Sequence, residues 1–477
     1  MIDSVTAVPH DTTADIYSPC ALPDTPAAAE LEAAGYVQEE YFVSGAGDVY
    51  GSGEAVPKVI RGGVEFVTRL LIARPRDPAG FCGRVHLSGI HPFLDGVQWN
   101  WAAPLVLGSG SAYVAVGTGT DAHSRGLSTF EAPVAGPAVT RWFDSRRYAP
   151  LSWPEEDGIR WTVFSDVAAM LRRPDRPILG DLQVSHVYAS GWSFLGSFLR
   201  TYINEGFHEL LRRPDGGPLF DGYAIGISSP WQRPGYLPIN SATSTRRIDD
   251  PRRRLRPIDV PVIEFLSQNE GALNGGPQAA DIDEGLGRHR LYEVAGTSHE
   301  DLGVEVPRTN LLQLAERRHP LAQAEAGPAG AYAVSDVPLR LMFSATMENL
   351  HRWVTEGEPP PASRRLELDK AQEVARDELG NPLGGVRSVQ LDLPLARYGR
   401  PPNRELADET EHYLPMYRIP LAPEEIARRY PAGREQYLER ASAAVERMVR
   451  ERWILPRDAP GYALRIEAAA DAAFSAL

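Results

Sequence analysis

The sequence predicts an α/β protein: a mostly parallel central sheet flanked by helices, with lid-like insertions and a long C-terminal extension. Three observations carry that prediction. Short apolar strands alternate with helical stretches up to His299, as when parallel strands are joined by crossover helices. The stretch Tyr188-Ala-Ser-Gly191-Trp-Ser193-Phe-Leu-Gly196-Ser-Phe-Leu-Arg-Thr-Tyr202 reads as a strand, a sharp turn and a helix, with one serine at the turn. Two later strands run out into Glu270 and His299, at the carboxyl edge where open α/β sheets place their sites.

In chain order, residues 1–30 are rich in Pro, Ala, Asp and Thr and are expected to be loosely ordered. The core is expected over 31–301. Strands are expected at Val64–Ile72, Gly83–Leu87 and Ala112–Val116, and helical character at Phe164–Leu171. Leu182, Val184, Val187 and Tyr188 fit a buried strand before the turn, and Phe194, Phe198, Tyr202 and Ile203 recur at helical spacing after it. Later strands are expected at Phe220–Ile227, Val260–Leu266 and Arg290–Val294. Between two of them, 230–257 is a long, proline-bounded connection of the kind that forms a lid. Its arginines, Arg246, Arg247, Arg252, Arg253, Arg254 and Arg256, read as a solvated run balanced by Asp249 and Asp250. Residues 302–477 form the cap or extension, including an amphipathic helical stretch over Glu424–Trp453. Such a tail suits covering a pocket or joining copies in a homo-oligomer.

The chemistry starts from Ser193. A serine at a strand-to-helix elbow projects its oxygen from the sheet with helix amides beside it, where a nucleophile for acyl transfer is needed. The usual elbow is Gly-x-Ser-x-Gly, but here Leu195 holds the last position and the glycine comes one residue late, at Gly196. A hydroxyl needs a base to take its proton and a third group to orient the base. His299, after Arg290-Leu-Tyr-Glu-Val-Ala-Gly-Thr-Ser, is the candidate base. Glu270, after Val260-Pro-Val-Ile-Glu-Phe-Leu-Ser-Gln-Asn, is the candidate acid, with Asp281, Asp283 and Glu264 as alternatives. Histidines His86 and His91 flank the end of an early strand. No His-x-x-x-His, Cys-x-x-Cys or carboxylate run argues for a metal, and no Gly-rich phosphate loop is present.

These residues sit in a longer pattern. Glu40-Tyr-Phe-Val-Ser-Gly, Thr68-Arg-Leu-Leu-Ile-Ala-Arg-Pro-Arg-Asp-Pro, Arg147-Tyr-Ala-Pro-Leu-Ser-Trp, Phe220-Asp-Gly-Tyr and Glu293-Val-Ala-Gly-Thr-Ser-His299 occur in order. Arg352-Trp-Val-Thr-Glu-Gly-Glu-Pro-Pro-Pro and Gly380-Asn-Pro-Leu-Gly-Gly-Val-Arg387 follow. Together they resemble the α/β-hydrolase superfamily, specifically its "alpha/beta hydrolase domain-containing" family of large serine hydrolases, across nearly the whole chain. The resemblance implies the α/β-hydrolase fold and a triad in the order serine, acid, histidine. It departs from the family in three places. The elbow is Gly191-Trp-Ser193-Phe-Leu where the family resembles Gly-Tyr-Ser-Gln-Ser. Ser267-Gln-Asn-Glu270 stands where the family resembles Thr-Glu-Thr-Asp, which places Glu270 at the family's aspartate. Leu87-Ser-Gly-Ile-His-Pro-Phe stands in the loop that should supply one oxyanion amide, near His91, beside the amide of Phe194.

Composition sets limits. The 477 residues, 43% apolar and without an apolar run near twenty, predict a globular chain that does not cross a membrane. No basic region followed by an apolar stretch opens it, and Cys20 and Cys82 make no disulfide framework, so a cytoplasmic location is expected. A net charge of -14 argues against nucleic-acid binding. Trp192, Trp99, Trp101 and Trp231 cluster around the candidate site and suggest a small ester with an apolar or aromatic group. The expected activity is hydrolysis of a carboxylic ester or lactone without a cofactor, through Ser193, His299 and Glu270, with Phe194, His91 and Trp192 around them. An acyltransferase on the same triad, or a hydrolase-fold binding protein without turnover, are the alternatives.

Overall fold

A computed structural model describes residues 1–9, 16–20, 25–54, 56–91, 96–119, 139–175, 178–229, 236–240, 249–272, 280–299, 313, 316, 333–399 and 416–475. They fall into two compact units: Met1–Val262 with Glu284–Arg288 and Val306–Pro328, and Ile263–Asp283 with His289–Glu305 and Ala329–Leu477. The expected boundary near residue 301 does not coincide with this division. The reason is backbone pairing: Tyr292 bridges Arg364 and Val294 bridges Val386, which ties the histidine-bearing strand to C-terminal residues.

In the first unit the strands are β1 (Ile2–Ala7), β2 (Tyr36–Gly51), β3 (Lys58–Pro75), β4 (Arg84–Gly89), β5 (Ala112–Val116), β6 (His186–Trp192) and β7 (Gly222–Gly226). They lie in the order β1-β2-β3-β5-β4-β6-β7. The inner strands β5, β4, β6 and β7 pair in parallel, and β1, β2 and β3 extend the sheet antiparallel. Every residue of β4, β5 and β7 is buried, as expected of strands covered on both faces. β1 lies inside the stretch expected to be loosely ordered; it pairs with β2 from Ala7↔Tyr41 to Ile2↔Gly45.

The helices of this unit are α1 (Pro26–Ala33), α2 (Gly96–Ser109), α3 (Val139–Phe143), α4 (Arg160–Met170), α5 (Phe194–Asn204) and α6 (Phe207–Leu210). Aromatic packing holds α4, α5 and α6 together. Trp161 stacks on Phe198 at 4.6 Å and on Phe207 at 4.7 Å, and its Nε1 donates to the Ile239 carbonyl at 2.7 Å. Such ring pairs contribute about 0.5–1.5 kcal/mol each beyond area burial. The described parts of the lid-like connection are tied to the same layer. Thr201 Oγ1 donates to the Leu237 carbonyl, and Tyr236 donates to Glu205. Trp231, Arg246 and Arg247 lie outside the described residues.

Three of the family-like segments meet in one buried cluster. Glu40 accepts from Arg69 at 2.9 Å, Arg147 at 2.6 Å and the Tyr148 hydroxyl at 3.0 Å, and its side chain is fully buried. Two guanidinium groups around one carboxylate keep that buried charge compensated. Glu40, Arg69 and the Arg147-Tyr pair therefore belong together for a structural reason.

The second unit contains β8 (Val262–Ser267, from Ile263 onward) beside its neighbour β9 (His289–Val294), with α7 (Gln268–Ala272) between them in sequence. It continues with β10 (Ala333–Val334), α8 (Leu339–Thr355), α9 (Val389–Asp392), β11 (Ala396–Gly399), β12 (Tyr417–Pro420), α10 (Pro423–Arg429), α11 (Gly433–Arg450) and α12 (Ala459–Phe474). The helix expected over Glu424–Trp453 is two helices. Pro431 cannot continue the first, and Gly433, where the second starts, takes φ 76°. The segment through Gly385 lies hard against β9, where a Cβ on Gly385 would sit 2.6 Å from the Glu293 carbonyl oxygen. Among the described residues, no helix is long and apolar enough to cross a membrane.

Candidate active site

Strand β6 ends at Trp192 and helix α5 begins at Phe194, so Ser193 alone makes the turn. Its backbone takes φ 58° and ψ -118°, a conformation that L-residues avoid and that costs on the order of 1–3 kcal/mol. The fold holds it there from both sides. Ser193 N donates to the Gly226 carbonyl at 2.9 Å, and the Ser193 carbonyl accepts from Ser197 N at 3.0 Å.

The close packing explains the glycines around the serine. A Cβ on Gly191 would lie 2.4 Å from the Leu195 carbonyl oxygen, and one on Gly196 would lie 2.5 Å from the Gly226 carbonyl oxygen. The late glycine thus serves the approach of α5 to β7. Leu195, at the position where the usual elbow has glycine, is accommodated by Gly89. A Cβ there would meet Leu195 Cδ2 at 2.7 Å. Sequence reasoning missed Gly89, since nothing local marks it as the partner of a residue 106 positions later.

The other candidates of this unit surround the elbow. Phe194 and His91 are both buried and meet edge to face, with ring centroids 6.2 Å apart. Ile90 N donates to the Val116 carbonyl, which carries the parallel pairing up to His91. Trp192 is 1% exposed and stacks on Trp101 at 3.7 Å, so its ring braces the elbow against α2. Trp99 packs on Tyr113 at 5.3 Å.

The acid and the base both lie in the second unit, and the structure brings them together. β8 ends at Ser267, and α7 turns Glu270 back so that its Oε1 lies 2.6 Å from His299 Nδ1. Glu270 is fully buried and His299 is 5% exposed. Burial by itself would raise the Glu270 carboxyl. The charge and hydrogen bond of His299, with the Ser267 hydroxyl, outweigh it and hold the carboxyl below its ordinary value. A carboxylate on Nδ1 selects the imidazole tautomer whose basic nitrogen is Nε2.

The alternative acids are engaged elsewhere. Glu264 pairs with His289 at 2.9 Å, Asp281 accepts from Ser363 N at 2.8 Å, and Asp283 pairs with Arg290 at 2.5 Å. Of these carboxylates, Glu270 is the one that meets His299. A stitch of polar groups joins the two turns. Gly296 N donates to Gln268 Oε1 at 2.9 Å, Gln268 N to Thr297 Oγ1 at 3.3 Å, and Thr297 Oγ1 to the Val294 carbonyl at 2.8 Å. Ser267, Gln268 and Thr297 were not singled out as site residues by the sequence, because hydroxyl and amide residues in a loop carry no pattern of their own.

Comparison with known proteins adds the family. The profile described as "Alpha/beta hydrolase domain" matches residues 6–463. The chain is similar in structure to the esterase Est22, at 12% identity over 64% of this chain and 90% of that one, with a TM-score of 0.30. It is also similar to a bacterial heroin esterase, at 14% identity over 65% and 93% with a TM-score of 0.30. A third is LpqC, a poly(3-hydroxybutyrate) depolymerase from Bordetella parapertussis, at 14% identity over 72% and 96% with a TM-score of 0.29. No protein of curated function matches the chain. The assignment rests on the profile, which spans nearly every element described above: the chain belongs to the alpha/beta hydrolase domain family and has the α/β-hydrolase fold.

Proposed function

We propose that this protein is a serine hydrolase that cleaves a carboxylic ester or lactone through an acyl-enzyme. The observation that carries the reading is Ser193 itself, held at φ 58° on the strand-to-helix turn by Gly191, Gly196 and Gly226. Strain at one half-buried serine, which folding alone does not need, supports a nucleophile. In this reading Ser193 Oγ attacks the carbonyl carbon while His299 Nε2 takes its proton. Glu270 stays ionised and balances the imidazolium. The amide of Phe194 and one from the loop at His91 stabilise the oxyanion. Collapse returns the proton to the leaving oxygen, and water then repeats the sequence to free the acid and Ser193. No cofactor enters the cycle.

The negative net charge and the aromatic surroundings favour a small apolar or aromatic ester over an anionic or nucleic-acid partner. Two cysteines, too few for a disulfide framework, suit a reducing, cytoplasmic setting.

The test is a fluorophosphonate probe with the adduct mapped by mass spectrometry. The native protein should label at Ser193 and the Ser193→Ala variant should not. Glu270→Gln should label roughly 10²–10⁴-fold more slowly, the usual weight of acid–base assistance. A folded native protein that leaves the probe untouched would sink the proposal, and an unimpaired Glu270→Gln variant would remove Glu270 from it.

A further inference from the structure

The Glu270 carboxylate is shared. Oε1 faces His299 Nδ1, while Oε2 accepts a hydrogen bond from the Ser267 hydroxyl. We propose that Ser267 is a positioning residue for the acid–base pair, fixing the Glu270 carboxylate so that Oε1 points at the imidazole. The inference deepens the serine-hydrolase reading and rests on it for its catalytic meaning.

Local geometry gives Ser267 this role and little other freedom. It is the last residue of β8, fully buried, and sits three residues before Glu270. The amide of Asn269 donates to Ser267 Oγ at 3.2 Å. That bond occupies an acceptor site of the hydroxyl and leaves its single proton for the carboxylate. Glu270 has no exposed surface, so water has no ready route to replace a lost partner at Oε2. His299 and the Ser267 hydroxyl both lower the carboxyl against its burial. Gln268, Gly296 and Thr297 fix the two turns to each other, which leaves the carboxylate torsions as the freedom that Ser267 removes.

The chemical consequence follows from which oxygen each partner uses. The proton leaving Ser193 Oγ goes to His299 Nε2 and then to the leaving group. Glu270 gains none, and Ser267 keeps its own. Ser267 thus supports the carboxylate without competing for the oxygen that meets the imidazole. Removing the hydroxyl lets the carboxylate rotate and makes its charge costlier, so the carboxyl should titrate at higher pH.

The experiment compares the native protein with Ser267→Ala, Ser267→Thr and Ser267→Val. It measures the rate of fluorophosphonate labelling at Ser193 against pH, and the Glu270 carboxyl titration by carbon NMR. Ser267→Ala should label roughly tenfold more slowly, the weight of one hydrogen bond to a charged group. The acid limb of its labelling profile and its Glu270 titration should both move to higher pH. Ser267→Thr should restore both, and Ser267→Val, equal in shape to threonine but without the hydroxyl, should not. Should the alanine variant fail to fold, the threonine and valine pair decides the question alone. Native labelling at Ser193 together with an unmoved acid limb in Ser267→Ala or Ser267→Val overturns the positioning role. A native protein that does not label is a failure of the hydrolase reading; the NMR titration still decides whether Ser267 controls the carboxyl.

Discussion

Ser193 concentrates the tension between stability and chemistry in this molecule. Its φ of 58° is foreign to a residue with a side chain, so the surrounding glycines and the bond to Gly226 must hold it. Replacement by glycine should relieve a strain of about 1–3 kcal/mol. It should also lose about 0.4–1 kcal/mol by loosening the unfolded chain. Ser193→Gly is therefore expected to unfold about 1 kcal/mol later than native protein in urea, whereas Ser193→Ala, which keeps the Cβ, should match it. A glycine variant no more stable than the alanine variant would show that the turn is not strained. Glu270 shows a second form of control at this scale: burial opposes its charge, and neighbours restore it.

Between elements, the departure of the elbow from its usual glycine spacing is resolved by a pair of residues on different strands and helices. Leu195 lies in the first turn of α5, Gly89 closes β4, and the methyl of one fills the space that a side chain on the other would need. Gly89→Ala should destabilise the protein by about 1–3 kcal/mol through overpacking. Adding Leu195→Ala should recover much of that loss. A double-mutant cycle in denaturant should then give a coupling of about 1 kcal/mol or more, as for residues in direct contact. Additive effects would mean that the two do not share that space. The same logic explains the broken C-terminal helix, where the amphipathic pattern runs through Pro431 and Gly433 but the backbone cannot follow it.

Over the whole molecule, carboxylates are held by compensating donors, whether buried as Glu40 is or exposed as Asp259 is. Glu40 sits among Arg69, Arg147 and Tyr148, and Asp259 receives Arg212 and His208 at 2.6 Å each. Burial tends to raise the Asp259 carboxyl, but these hydrogen bonds prevail and bring it to about 2. Its folded value lies below its unfolded one, so its contribution to stability is present above the ordinary aspartate range and is lost as pH falls through the folded value. Thermal unfolding of native protein and Asp259→Asn should therefore show a gap at neutral pH. That gap should narrow between about pH 4, the ordinary aspartate value, and pH 2. A gap independent of pH would mean that Asp259 contributes by shape and not by charge.

The sequence by itself determined the alternation of strands and helices, the family, the serine at the turn, and the candidate acid and base in chain order. Those features are local: apolar periodicity, glycines near a turn and a residue at a strand end are written within a few positions. Only the tertiary structure decided that Leu195 is answered by Gly89. It also decided that Glu270, and not Asp281, Asp283 or Glu264, meets His299. It turned Trp192 onto Trp101 and gathered Glu40, Arg69 and Arg147 into one cluster. Each of these joins residues far apart in the chain, and short-range patterns do not say which of several equivalent side chains will share a space or a charge.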